Sequence, residues 1–122
     1  MAILIIPGRL PGLNEYTKAC RTNPYAGADM KKDGERYVSV YIHKQLRGMT
    51  VKNPVSITFK WHERNARRDP DNVSGFGHKV ILDAMVHAGV LPDDSLNWVR
   101  HIEDYFMVDK KNPRIEVEIT EA

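Results

Sequence analysis

The chain of 122 residues contains a single cysteine, Cys20, so no internal disulfide can form, and a reducing cytoplasm is the expected setting. Long apolar runs are missing too. The opening Met1–Ile6 (MAILII) is cut off by Pro7-Gly8, which is too short for a membrane span or a signal core and reads as a strand, with no membrane partner expected. The five histidines and Cys20 show no Cys-x-x-Cys or His-x-x-x-His spacing, which argues against zinc. No Gly-x-Ser-x-Gly and no cysteine with a placed base is present, so a covalent nucleophile finds no support. Ser74-Gly75-Phe76-Gly77-His78-Lys79 matches neither the Walker nor the dinucleotide pattern. What it retains is the reading of a phosphate cradle leading into a helix.

What the chain does have is an ordinary globular balance, 42% hydrophobic and 28% charged residues, in a length that suits one domain over residues 1–122. Charge is divided unevenly. Residues 1–60 carry ten Lys/Arg against four Asp/Glu, and residues 61–122 carry eight against twelve. A basic half beside an acidic half suits a polyanion partner and a carboxylate site.

Ala2–Ile6 reads as a first strand, and Pro-Gly-Arg-Leu-Pro-Gly as an ordered loop. Asn14 is placed to cap a short helix to about Cys20, and Asn23-Pro24 to start another that runs from Tyr25 to Arg47 on apolar residues spaced three and four apart. Val55–Trp61 alternates as a half-wet strand. Lys79–Ala88 is a compact helix, Trp98–Val108 a strand, Lys110-Lys111-Asn112-Pro113 a hairpin turn and Ile115–Ile119 a final strand. Trp61, Trp98 and Tyr105 are expected in the core. The fold class is α+β in the order β-α-β-α-β-β, a small mixed sheet with helices packed on it.

Asp69-Pro70-Asp71-Asn72 is the most unusual segment. Read as extended chain, it projects Asp69 and Asp71 to one side about 6.6 Å apart. Their mutual repulsion would be relieved by a divalent cation with oxygen ligands, at a cost to the metal-free fold. The same residues are also ordinary turn vocabulary, as are Pro92-Asp93-Asp94-Ser95. Arg67 and Arg68 before the acids and Lys79 after them set carboxylates inside a basic rim, the mixture used by metal sites that process phosphate esters. Whether Asp93-Asp94 return to Asp69 and Asp71 depends on how the intervening helix crosses the sheet. Lys79 and Asp83, one turn apart, are either a surface ion pair or part of the site.

Taken in order, these stretches resemble the RusA family of Holliday junction resolvases, common in prophages. The resemblance rests on Pro7-Gly-Arg-Leu-Pro-Gly-Leu-Asn14-Glu-Tyr16, on Arg68-Asp69-Pro70-Asp71-Asn72, and on Lys79-x-x-x-Asp83 followed by Ala88-Gly89 and Asp93-Asp94. It implies an endodeoxyribonuclease that depends on Mg²⁺, with Mn²⁺ able to substitute. Acting as a homodimer, it would nick opposed strands of four-way DNA junctions in recombination and repair. Asp69, Asp71 and Asp94 match the catalytic, metal-holding carboxylates, with Asp93 beside them and Asp83 secondary. Lys79 matches a lysine required for cleavage, although the segment from Asn72 to Lys79 is longer than the family's by about one helical turn. Arg9, Asn14, Lys18, Arg21, Arg67, Arg68 and Asn72 would contact DNA. A non-catalytic nucleic-acid-binding module and a divalent-dependent enzyme acting on small phosphates are the rival classes.

Overall fold

The computed structural model describes residues 1–122 and runs Ala2–Pro7 (β1), Leu13–Thr22 (α1), Ala26–Gln45 (α2), Val55–Glu63 (β2), Pro70–His87 (α3), Val99–Val108 (β3) and Arg114–Glu121 (β4). Alternation decides which way the sheet faces. β2 buries Val55, Ile57, Phe59, Trp61 and Glu63, and β4 buries Ile115, Val117 and Ile119. Their other residues form an open face laced by Lys60–Glu118 and Arg114–Glu116 ion pairs, with His62 Nε2 3.2 Å from Glu116. The strand order is β1-β4-β2-β3; β4 is antiparallel to both its neighbours, and β2 and β3 are parallel.

The helices cover the other face. Val38 and Ile42 of α2, and Val73, Phe76, Val80, Ile81, Ala84 and Met85 of α3, join Leu4, Ile6 and the inward strand residues in one buried cluster. No helix is long and apolar enough to cross a membrane.

The α+β class and the mixed sheet are as the sequence reads, but the order is β-α-α-β-α-β-β. A break at Asn23 divides the first helical region in two. Asn23 is extended (φ −160°, ψ 165°) and its Oδ1 accepts from the backbone N–H of Tyr25 and Ala26, while the N-cap of α1 is Gly12 rather than Asn14.

The larger correction concerns α3, which begins at Pro70 and not at Lys79. Asp69 is its N-cap, with Oδ1 accepting from the Asn72 N–H at 2.8 Å; Pro70 follows at a position where it loses no hydrogen bond, and Asp71 lies in the first turn. The expected phosphate cradle Ser74–Lys79 is therefore helix interior. Its glycines serve packing: a Cβ on Gly77 would lie 2.6 Å from Cη2 of Trp61, and one on Gly75 would lie 3.1 Å from Cδ2 of Leu13.

Residues 109–113 are not a hairpin turn. β4 is inserted between β1 and β2, so this turn passes over the end of β2, where the Asp109 N–H donates to Glu63 O at 2.7 Å. Tyr105, expected in the core, is 48% exposed on the edge strand β3, while Trp61 is buried and Trp98 half-buried.

Opposite signs are expected for two alanine substitutions in α3. Gly75→Ala gains about 1 kcal/mol of helix propensity against contacts of 3.1, 3.3 and 3.4 Å with Cδ2, Cβ and Cγ of Leu13, a residue at the exposed start of α1 that can shift outward. Gly77→Ala drives a methyl into a fixed indole, an overpacking cost of about 1–3 kcal/mol. Thermal unfolding should place Gly75→Ala at or above wild type and Gly77→Ala below it; a Gly77→Ala melting point above wild type would contradict this packing.

Candidate nucleic-acid and metal site

One end of the sheet gathers most of the candidate residues. The register sets Pro7 and His62 opposite Arg114, and Glu63 opposite Val108, so β1, β2 and β3 all finish at the same end. Loop 8–12, loop 64–69, turn 109–113 and the first turns of α1 and α3 therefore lie together. This is the carboxyl end of a parallel strand pair, where open sheets commonly place ligands.

Arg68 organises this end. Its Nε and Nη2 donate to the two oxygens of Glu63 at 2.9 and 3.0 Å, and Nη1 donates to Leu10 O at 3.2 Å. Both side chains are nearly buried, at 12% and 10% exposure. The pair closes the end of β2 against loop 8–12 and fixes the residue before Asp69.

Asn72 has a similar internal role. Its Oδ1 accepts from the Asn14 N–H at 2.9 Å, which caps α1 from another helix. Gly12 makes this possible, since a Cβ there would lie 2.4 Å from Asn72 Oδ1. Arg68, read as a DNA contact, is thus committed inside the fold, while Asn72, read likewise, spends its Oδ1 on α1.

Asp69 and Asp71 come out beside each other, but as the N-cap and first turn of a helix rather than as an extended i, i+2 pair. The helix dipole favours carboxylates there, so their presence strains the metal-free fold less than simple repulsion suggests. Both are exposed. Exposed Arg9, Arg64 and Arg67 lie in the loops at this end of the sheet, and Lys110 and Lys111 on the turn that passes the end of β2; the arginines that do form ion pairs are Arg36, Arg68 and Arg114. Lys18 and Arg21 are exposed along α1, as is Asn14. Sequence reading missed Arg64, Lys110 and Lys111. Arg64 lies in the same basic run as Arg67, whereas the two lysines reach this end only because the turn from β3 to β4 passes over the end of β2.

Asp93 and Asp94 are not brought to this end. β3 is parallel to β2, so α3 must return the chain to the start of the sheet, where Val51 N–H donates to Val90 O and Val55 N–H to Trp98 O. The 18 residues of α3 separate the two acidic pairs by about 27 Å. Asp93 is absorbed by its own turn: the nearby Ser95 hydroxyl, outside strict hydrogen-bond geometry, and the backbone N–H groups of Asp94 and Ser95 hold its carboxyl below the usual range. Asp94 is exposed.

Lys79 is exposed on α3, eight residues and about 12 Å along the axis from Asp71. Asp83 pairs with Lys31 of α2 at 2.6 Å, not with Lys79, and that hydrogen bond raises the Lys31 pKa.

As a cation site, the near end offers two carboxylates two residues apart at the start of α3, with one Asp69 oxygen taken by the Asn72 N–H. That donor chemistry suits Mg²⁺ in part. No group of three or more possible ligands forms within one chain.

The family model of the endodeoxyribonuclease RusA matches residues 14–120. No curated protein matches the chain. The family match spans nearly all of the sequence, and the chain belongs to the RusA endodeoxyribonuclease family.

The assignment of Arg68 is directly measurable. Arg68→Ala strands Glu63 without its partner in a nearly buried position, a loss of about 3–5 kcal/mol, whereas Arg67→Ala should stay within about 0.5 kcal/mol of wild type. Denaturant unfolding of the two variants compares them, and equal stability would show that Arg68 is a surface residue.

Proposed function

We propose that this member of the RusA family is a divalent-cation-dependent endonuclease. As a homodimer it would resolve four-way DNA junctions by paired symmetric nicks, in recombination and repair within the reducing cytoplasm. The observation that carries the reading is the exposed Asp69–Asp71 pair at the end of the sheet whose loops also carry the exposed, unpaired Arg9, Arg64, Arg67, Lys110 and Lys111. A polyanion drawn to that rim meets the carboxylates at its centre, and Lys/Arg neutralisation of phosphates supplies affinity.

Asp69 and Asp71 would hold Mg²⁺, which supplies an activated water and neutralises charge on the scissile phosphate when bound. Asp94 is the third carboxylate of the set, and its place at the far end of α3 gives the homodimer a chemical reason. A two-fold axis that sets the α3 helices of two copies antiparallel carries Asp94 of each toward Asp69 and Asp71 of the other. Two such sites then face opposed strands of the junction.

The remaining residues position DNA. Arg9 and Arg67 would take phosphates flanking the cut, and Lys18 and Arg21 would extend the track along α1. Lys79, two turns from the acids, is placed to hold backbone beyond the scissile phosphate. Arg68 and Asn72 act through the fold, by keeping α1 and α3 in register.

Labelled four-way junction and duplex, each with Mg²⁺ or EDTA, test the reading. Wild type should give symmetric nicks in the junction only, abolished by EDTA. Asp71→Asn should lose cleavage by at least about 100-fold, keep junction binding, and lose no more than about 1 kcal/mol of stability, the worth of one carboxylate at a helix start. A mobility shift with no cleavage under any metal would select the non-catalytic binding module; neither shift nor cleavage would select the small-phosphate enzyme. Full cleavage by Asp71→Asn would end the metal-site reading.

A further inference from the structure

A small cavity of about 180 Å³ opens beside the carboxylates, where loop 64–69, the first turn of α3 and the end of β3 meet. α3 contributes Pro70 and Val73, β3 contributes Phe106 and Val108, and the loop contributes Asn65. Pro70 is the residue between Asp69 and Asp71. Each carboxylate therefore springs from a Cα about 3.8 Å from that of a lining residue.

The apolar side of this slot is open to water. Phe106 and Val108 stand opposite Trp61 and Glu63 and so belong to the helix-covered face, yet they are 41% and 56% exposed. β3 is pinned two residues earlier, where Asp104 Oδ1 accepts from Trp61 Nε1 at 2.8 Å and lies 2.7 Å from His78 Nε2. On the loop side, Asn65 Oδ1 accepts from the Arg67 N–H at 3.1 Å, which leaves its Nδ2 as a donor at the slot.

We propose that the slot takes one base of the bound DNA, from a nucleotide next to the nicked phosphate, turned out of its stack against Phe106. This rests on the endonuclease reading above and adds a reason for choosing branched DNA. Three features select a base as the occupant. The slot is apolar, while the loops around it carry exposed Arg64 and Arg67, a contrast that suits an anionic backbone bearing flat rings. Its volume falls below the roughly 300–1,000 Å³ of pockets that enclose drug-sized ligands, and leaves room for a single ring system. A strand with its phosphate at Asp69 and Asp71 also carries a base one sugar away.

Taking a base out of continuous duplex costs its stacking and pairing, and the cost is least where a base is already unpaired or poorly stacked. An aromatic face returns part of that cost for any base. Phe106 would thus favour a branch point over plain duplex, as a binding residue that sets selectivity.

The test maps the nick on an unmodified junction with Mg²⁺ and then measures junction affinity in EDTA. Phe106→Leu keeps an apolar side chain and should melt close to wild type, but bind the junction roughly 5- to 150-fold more weakly, the equivalent of one lost base stack. Phe106→Tyr keeps the aromatic face and should bind as wild type does. An abasic nucleotide on one side of the nicked phosphate should weaken wild type by a similar factor and weaken Phe106→Leu no further. A wild type that does not nick the junction would overturn the endonuclease reading and this one with it. Three results with a nicking wild type would overturn the slot alone: Phe106→Leu binding as tightly as wild type, Phe106→Tyr losing as much as Phe106→Leu, or no abasic position that weakens wild type more than Phe106→Leu.

Discussion

The nearly buried Arg68–Glu63 pair is the constraint on which the functional end depends. Its guanidinium takes both oxygens of a carboxylate on the last residue of β2 and one carbonyl of loop 8–12. The next residue, Asp69, is the N-cap of α3. One side chain thereby sets where β2 stops, where the first loop lies and where α3 starts. Asn72 then passes that placement to α1 through the Asn14 N–H. Asp69 and Asp71 are exposed, and the frame behind them is pinned by these hydrogen bonds, the support that the proposed cation site would need.

Much of this was legible before any coordinates. Alternation in Val55–Trp61 and Ile115–Ile119 gave the central strands because both bury one face and wet the other. The Asp69-Pro70-Asp71 start of α3 was misread as extended chain. An N-cap aspartate, a proline at the first position and an acid in the first turn form a strong helix-start signal, and Gly75 and Gly77 obscured it by resembling a loop. Those glycines are helical because Leu13 and Trp61 press against them, a tertiary reason with no local trace. The roles of Arg68 and Asn72 were hidden for the same reason: an arginine in a basic run looks solvated until its buried partner, Glu63, is known. Lys110 and Lys111 reached the site through strand order, which periodicity does not encode.

The separation of Asp94 from Asp69 and Asp71 follows from the parallel pairing of β2 and β3. A parallel pair needs a crossover, here α3, and a crossover delivers the chain to the opposite end of the sheet. Carboxylates on either side of that helix cannot meet within one copy. Under the proposed homodimer, catalysis and assembly become a single property, because the acidic set that the topology divides would be reunited by symmetry.

Subunit mixing tests that claim most directly. Asp71→Asn and Asp94→Asn proteins, each inactive alone, are unfolded together, refolded as a mixture and assayed for junction nicking with Mg²⁺. If each site draws Asp94 from the other copy, a mixed dimer carries both substitutions in one site and none in the other, so nicking returns. If each site is built within one chain, every site in the mixture carries a substitution, and the mixture stays as inactive as its parents.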